Sequence, residues 1–329
     1  MALVFESLSG VFSCMLMISL GYFLTMRKWF SKETGQLFSK FAMVVTIPLY
    51  MVVSMMKSYS KQDLMQLGIA VALPAITLTA TYLLGVATSY AICVPVHRHG
   101  TFRAMFFASN SAFIGFPVNV ALFGEKALPI AVMYYLVQSM LFWTVAAYGL
   151  SLDGPRFARL ESGAEADVSI PPVLSLKTIK NVLSPPLIGA IVAIIFILGN
   201  VRLPTFLNGT FNYLGNMTTP LAMLFIGIAI YVANLRQVRI TFDMAVLIAA
   251  RFLVAPAVVI IACHFLPVPD FLRKVVIVEA AMPVMTQVSI AARAYKADAN
   301  YVAVMTALTT VLSMITIPTY FLLLNFGWL

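Results

Sequence analysis

Apolar runs of about 20 residues, the length that spans a bilayer as a helix, recur ten times along this chain of 329 residues. Their cores fall near residues 3–26, 35–56, 64–93, 103–123, 127–150, 182–200, 206–233, 242–265, 271–293 and 299–325. This pattern leaves little choice of fold. Inside a bilayer only helices and closed barrels satisfy their own backbone, and barrel strands alternate polar with apolar residues. Composition agrees: 61% of residues are hydrophobic and 10% are charged, too few charges to coat a soluble domain. A soluble enzyme, a disordered chain and a nucleic-acid binder are excluded. The chain reads as an all-α polytopic membrane protein with ten transmembrane helices.

Charge orients those helices. The net charge is +9, from 21 Lys and Arg against 12 Asp and Glu. Loops on one side hold 13 of the basic residues and loops on the other hold 6, with Lys40 and Arg251 inside spans. The richer side is cytoplasmic by the positive-inside rule, so both termini are expected outside a multi-pass cytoplasmic membrane protein. Glu6 stands where a signal peptide carries positive charge, and the apolar run continues as a spanning helix, so no cleavable leader is expected. Cys14, Cys93 and Cys263 lie in apolar runs without a CxxC pair, which gives neither a disulfide framework nor a metal site. No cofactor is expected.

Residues 1–150 and 182–329 each hold five spans, and the hydrophilic stretch 151–181 links them on the cytoplasmic side. The halves echo each other. Thr46-Ile-Pro-Leu-Tyr-Met51 and Thr218-Thr-Pro-Leu-Ala-Met223 match at a shift of 172 residues, which also superposes Ala131-Val-Met133 on Ala303-Val-Met305. Phe116-Pro-Val118 and Met282-Pro-Val284 match at a shift of 166. Five is an odd number, so the second copy enters the membrane from the opposite side. The expected architecture is two inverted five-helix repeats, as in many secondary transporters.

The fourth and ninth spans carry the chemistry. The fourth holds Asn110, Ser111, Gly115, Pro117 and Asn119; the ninth holds Glu279, Pro283, Thr286 and Gln287. A proline removes a backbone donor and crowds the carbonyl four residues back, and unwound backbone at membrane depth is tolerated only in protein interior or at a wet cavity. Proline also suits the first turn of a new half-helix, whose unpaired amides and positive dipole end favour an anion. Breaks at Pro117 and Pro283, in equivalent positions of the two inverted halves, are therefore the expected transport site.

These residues also resemble a known family. Asn110-Ser-Ala-Phe-Ile-Gly-Phe-Pro117, followed by Ala121-Leu-Phe-Gly124, is similar to the N-[ST]-x-F-x-G-x-P…A-L-x-G segment of the auxin efflux carriers. Leu183-Ser-Pro-Pro-Leu-Ile-Gly-Ala190, Thr219-Pro-Leu-Ala-Met-Leu-Phe-Ile-Gly227, Ala281-Met-Pro283 and Ser313-Met-Ile-Thr-Ile-Pro318 resemble further segments of that family, in order along nearly the whole chain. The short central loop looks like the bacterial branch, which resembles malate and malonate permeases. The resemblance implies the fold shared with bile-acid sodium symporters. Helices 1, 2, 6 and 7 would form a scaffold, and helices 3–5 and 8–10 a transport domain whose helices 4 and 9 cross. It also implies elevator-type alternating access, commonly a homodimer, and an organic-acid substrate. It does not imply sodium dependence.

Two charges remain at depth. Arg251 lies mid-span in the eighth helix, where its guanidinium fork matches a carboxylate. It either anchors the substrate or serves a structural partner such as Glu279. Glu279 lies one turn before Pro283 and either carries a coupling proton or pairs with a basic residue. The expected binding set is Asn110, Ser111, Pro117, Asn119, Pro283, Thr286, Gln287 and Arg251, with Glu279 as coupling candidate and no metal. The expected function is secondary transport of a small organic carboxylate, a short dicarboxylate first and a monocarboxylate, including an auxin-like aromatic acid, second. An anion channel is the reading from another class, and one polar centre in place of a continuous polar pore argues against it. No HExxH, GxSxG or GxxxxGK[ST] motif is present, so no enzyme is expected.

Overall fold

The computed structural model describes residues 2–61, 68–162, 185–233 and 240–326. Regular structure in these residues is helical. The β-type contact among them is an isolated antiparallel bridge between Ser109 and Val284. The helices are α1 (Ala2–Met26), α2 (Lys32–Phe41), α3 (Ile47–Ser58), α4 (Gly68–Ala91), α5 (His99–Phe107), α6 (Phe116–Phe123), α7 (Leu128–Leu141), α8 (Ala147–Ser162), α9 (Pro185–Leu198), α10 (Thr205–Asn216), α11 (Thr218–Val232), α12 (Phe242–Ala249), α13 (Ala255–Phe265), α14 (Asp270–Ala280), α15 (Thr286–Ala294) and α16 (Ala299–Asn325). Several run on into one another. Among the described residues, six continuous helices are long and apolar enough to cross a membrane: Lys32–Ser58, Gly68–Ala91, Glu125–Leu160, Thr205–Val232, Phe242–Phe265 and Ala299–Leu324. Shorter apolar helices are Phe12–Met26, Ser111–Phe123 and Pro185–Leu198. The chain is an all-helical polytopic membrane protein. Helix α8 continues past residue 150 to Ser162, into the stretch whose charges read as a linker; residues 163–181 of that linker lie outside the described residues.

Prolines explain most of the irregular turns. Wide π turns occupy Ala42–Thr46, Ser111–Gly115, Phe142–Ala146 and Ala250–Val254. Three of them end two residues before a proline, at Pro48, Pro117 and Pro256. In each, the amide preceding the proline bonds a carbonyl five residues back: Ile47 to Ala42, Phe116 to Ser111, Ala255 to Ala250. The wider turn relieves the ring's clash with the preceding turn, at the expense of unpaired carbonyls. At Pro256 the carbonyl of Phe252, four residues back, accepts from the Tyr320 hydroxyl at 2.6 Å.

Small residues let the helices approach closely, as membrane helices require. Helix α1 packs on α11 through Gly21 and Gly227. A Cβ at Gly21 would lie 2.4 Å from the Leu224 carbonyl oxygen, and one at Gly227 would lie 2.1 Å from that of Ile18. Helix α9 packs on α3, which also meets α10, while α11 meets α2. Where α2–α3 and α10–α11 come together, the Thr218 hydroxyl donates to that of Thr46 at 2.9 Å. The other helices pack around the two short ones, α5 and α14. Glu125, at the start of the turn before α7, ties that group to α3: it accepts from Ser54 at 2.8 Å and from the Tyr50 hydroxyl at 3.3 Å.

Candidate functional site

Helix α5 stops at Phe107, residues 108–110 are unwound, and the chain resumes helically at Ser111. Helix α14 stops at Ala280, and α15 begins at Thr286 after a second unwound stretch. The two stretches cross in antiparallel fashion. The Asn110 amide donates to the Pro283 carbonyl at 2.8 Å, and the Met285 amide to the Ala108 carbonyl at 3.1 Å. Pro283 sits inside its break. The expected break at Pro117 is displaced: it lies at residues 108–110, and Pro117 occupies the first turn of α6, where the preceding π turn absorbs its ring. The second break thus aligns with the first at a shift near the 172 of the threonine motifs, not the 166 of the prolines.

Backbone groups freed by a break at this depth need partners, and side chains from neighbouring helices provide them. Gln138 on α7 clamps Ser109: its Oε1 accepts from the Ser109 amide at 2.8 Å and hydroxyl at 2.7 Å, and its Nε2 donates to the Ser109 carbonyl at 2.7 Å. On the other strand of the crossing, the Val284 amide donates to the Thr309 hydroxyl of α16 at 3.1 Å.

Arg251 joins the C-terminal ends of the two short helices. It is fully buried, placed by the π turn of residues 250–254. Its Nε donates to Met282 O (3.2 Å), one terminal nitrogen to Phe106 O (3.1 Å) and Phe107 O (3.0 Å), and the other to Ala280 O (2.8 Å) and Met282 O (2.8 Å). A guanidinium has five N–H groups, and these five bonds use them all. In this conformation Arg251 neither pairs with Glu279 nor offers a free fork to a carboxylate.

The N-terminal ends lie together as well. The Asn110 side chain donates to the hydroxyl of Thr286, the first residue of α15, at 2.9 Å. Ser111 shares a hydrogen bond with Ser109 at 2.9 Å. The first-turn amides of each half-helix, at Ala112 and Phe113 and at Thr286 and Gln287, have no carbonyl one turn back within their own helix. Gln287 is loosely held, with Nε2 3.5 Å from the Tyr135 hydroxyl and 3.9 Å from the sulfur of Met43 in the π turn between α2 and α3. Its Oε1 is buried without a hydrogen-bond partner. Phe113 stacks on Phe225 of α11 with ring centroids 5.6 Å apart. The paired N-termini therefore face the surface formed by α2–α3 and α11.

Asn119 and Glu279 form a separate contact between the halves. Asn119 Nδ2 donates to Glu279 Oε1 at 2.8 Å and to the Gly115 carbonyl at 3.0 Å. Both residues are fully buried, and Glu279 Oε2 and Asn119 Oδ1 have no hydrogen-bond partner. The carboxylate lies against Gly115, where a Cβ would come within 2.5 Å of Oε2. Asn110, Ser111, Thr286 and Gln287 thus gather at the N-terminal ends, Arg251 at the C-terminal ends, and Asn119 with Glu279 beside them. Among the described residues no three His, Cys, Asp or Glu side chains gather into a metal site.

Three residues escaped the sequence reading. Gln138 and Thr309 are uncharged polar residues in otherwise apolar spans, and only the crossing distinguishes them from ordinary helix-packing hydroxyls and amides. Asp153 read as a linker charge, yet it is fully buried and caps α5, accepting from the Gly100 amide (3.0 Å), the Thr101 amide (2.6 Å) and the Thr101 hydroxyl (2.7 Å). A single carboxylate just past an apolar run was the available signal.

The family model described as "Membrane transport protein" matches residues 6–321. The chain belongs to that family, the one containing the auxin efflux carriers. An uncharacterized transporter of Methanocaldococcus jannaschii is 22% identical over 322 residues, covering 96% of each chain. An uncharacterized transporter of Methanothermobacter thermautotrophicus is 24% identical over 317 residues, covering 95% of this chain and 96% of the relative. The protein is a membrane transporter of this family.

Proposed function

We propose that this transporter is a secondary carrier of a small organic carboxylate, bound where the N-terminal ends of the two half-helices meet. The observation that carries this reading is the Asn110–Thr286 bond, which brings two sets of first-turn amides to one place. Those amides and their dipole ends favour negative charge. Asn110, Ser111, Thr286 and the loosely held Gln287 add polar contacts, while Pro117 and Asn119 shape the half-helix behind them. Arg251 gives no second anchor in this conformation, so a dicarboxylate such as malate or malonate, favoured by the family resemblance, would place its second carboxylate near Gln287. Glu279, buried with one unpartnered oxygen, is the candidate proton carrier.

The same proposal includes ten spans in two inverted repeats. In an inverted repeat, equivalent residues meet only on the pseudo-two-fold axis. Thr46 and Thr218 are separated by the repeat shift of 172 and hydrogen-bond each other, which supports placing the axis there. Helices 1, 2, 6 and 7 then form the scaffold. The remaining helices move as an elevator carrying the crossover past α2–α3 and α11. We place the protein as a homodimer in the cytoplasmic membrane, with both termini outside.

Counterflow into proteoliposomes with labelled mono- and dicarboxylates, under imposed pH and sodium gradients, tests the proposal. Saturable exchange of at least one acid is expected. Asn110→Ala and Gln287→Ala should each weaken its apparent affinity roughly tenfold, the scale of one lost hydrogen bond to a charged group, without unfolding the protein. Exchange of none of the acids overturns the carboxylate reading; flux that never saturates points to a channel; unchanged affinity in both variants removes the site from the crossover.

A further inference from the structure

The C-terminal ends of the two half-helices carry a second inference, which rests on the crossover being the transport site. In carriers with broken helices, exposed carbonyls at half-helix C-termini are where a coupling cation binds. Here four such carbonyls, of Phe106, Phe107, Ala280 and Met282, converge on one spot, and the Arg251 guanidinium fills it with bonds of 2.8–3.2 Å. Every N–H of the guanidinium is used, the side chain is fully buried, and its hydrogen-bond partners among the described residues are all backbone carbonyls. The residues present therefore do not fit a free coupling cation such as sodium at these carbonyls. A resident positive charge already sits where the two negative dipole ends meet.

We propose that Arg251 is a tethered cation: it takes the seat of a coupling cation, holds the two half-helices in register, and makes the carrier independent of sodium. It is a positioning residue, acting on the substrate only through the backbone it secures. The corollary is that truncating it opens a site for a small monovalent cation, lined by the same four carbonyls. A guanidinium reading substrate directly would leave no such site behind, because its donors would face the ligand.

Thermal unfolding of the purified protein in sodium chloride against choline chloride, at equal ionic strength and without any substrate, tests this. The wild-type midpoint should be the same in both salts. Arg251→Ala should be destabilised in choline and recover by about 3 °C or more in sodium, as expected for a ligand that binds only the folded state. Arg251→Lys keeps a cation in the seat with three donors instead of five, and should be moderately destabilised yet indifferent to sodium. A sodium-selective shift in the wild type or in the Lys variant overturns the proposal. So does an Ala variant that is folded but indifferent to sodium, or one that sodium does not recover. Because no substrate is present, these melts stand whether or not the carboxylate reading survives.

Discussion

The two breaks that cross at the centre of this transporter are alike in geometry and unlike in construction. The second contains its proline, and α15 starts directly after it. The first contains none; its nearest proline lies several residues on, behind a π turn. Supporting contacts differ too. Ser109 is held at its amide, carbonyl and hydroxyl by one glutamine, whereas Val284 donates a single bond, from its amide to the Thr309 hydroxyl. A proline ring thus helps one chain to unwind, and a side-chain clamp does the same for the other. What both require is a partner for each freed backbone group, since at this depth water cannot serve.

That contrast ranks the two clamps. Gln138→Leu removes the side-chain partner of the Ser109 amide and carbonyl, leaving its hydroxyl only Ser111, and should cost about 3–5 kcal/mol of folding free energy, the sum of more than one unsatisfied buried group. Thr309→Val keeps the shape and leaves one amide unpaired, for about 1–3 kcal/mol. Equilibrium unfolding in detergent measures both. If the two variants are equally destabilised, the first break is not more dependent on its clamp than the second, and the comparison fails.

The flanks of the crossing sharpen it further. Gly115 belongs to the first half and Glu279 to the second, and the carboxylate rests where a Cβ would be. Gly115→Ala should force Glu279 aside and break its 2.8 Å bond with Asn119. Overpacking of this kind costs about 1–3 kcal/mol. A double-mutant cycle with Asn119→Ala checks the mechanism: if the Gly115 substitution acts through that bond, the two losses will be less than additive. Additive losses would mean that Gly115 matters only for backbone packing.

Legibility in the sequence followed the same division. The all-helical membrane class was readable because an apolar run of bilayer length has few other fates, and the polar cluster around Asn110 and around Thr286 marked where two helical runs are interrupted. The position of the first break was not readable. Pro117 is the strongest local breaker in the fourth span, and propensity places the break there, but a π turn accommodates its ring and tertiary partners unwind the chain at residues 108–110 instead. Arg251 was readable as a charge at depth, but its bonds were not: a lone arginine there is equally a fork for a ligand or a partner for protein groups, and the carbonyls it meets come from two C-termini distant in sequence. Asp153 fell to a boundary error, because α8 continues as helix beyond the last apolar residue of its span.

The smallest expected effect is that of Pro117. With the break at residues 108–110 secured by Gln138 and by the Asn110–Pro283 bond, the ring of Pro117 is not what opens the helix. Pro117→Ala should then leave the crossing intact and change stability by only about 1 kcal/mol: the π turn has already relieved the clash that makes an interior proline costly, and the added amide faces a carbonyl of the preceding turn. Pro283→Ala is the harsher of the two, because it keeps the carbonyl that Asn110 uses but adds an amide inside the unwound stretch, and should lose about 1–3 kcal/mol. Thermal midpoints together with counterflow separate this from the alternative. A Pro117→Ala protein that is stable but no longer exchanges substrate would mean that the ring, acting through the π turn, aims Asn110 and Ser111 at the ligand; retained exchange would assign that job to the clamp on Ser109.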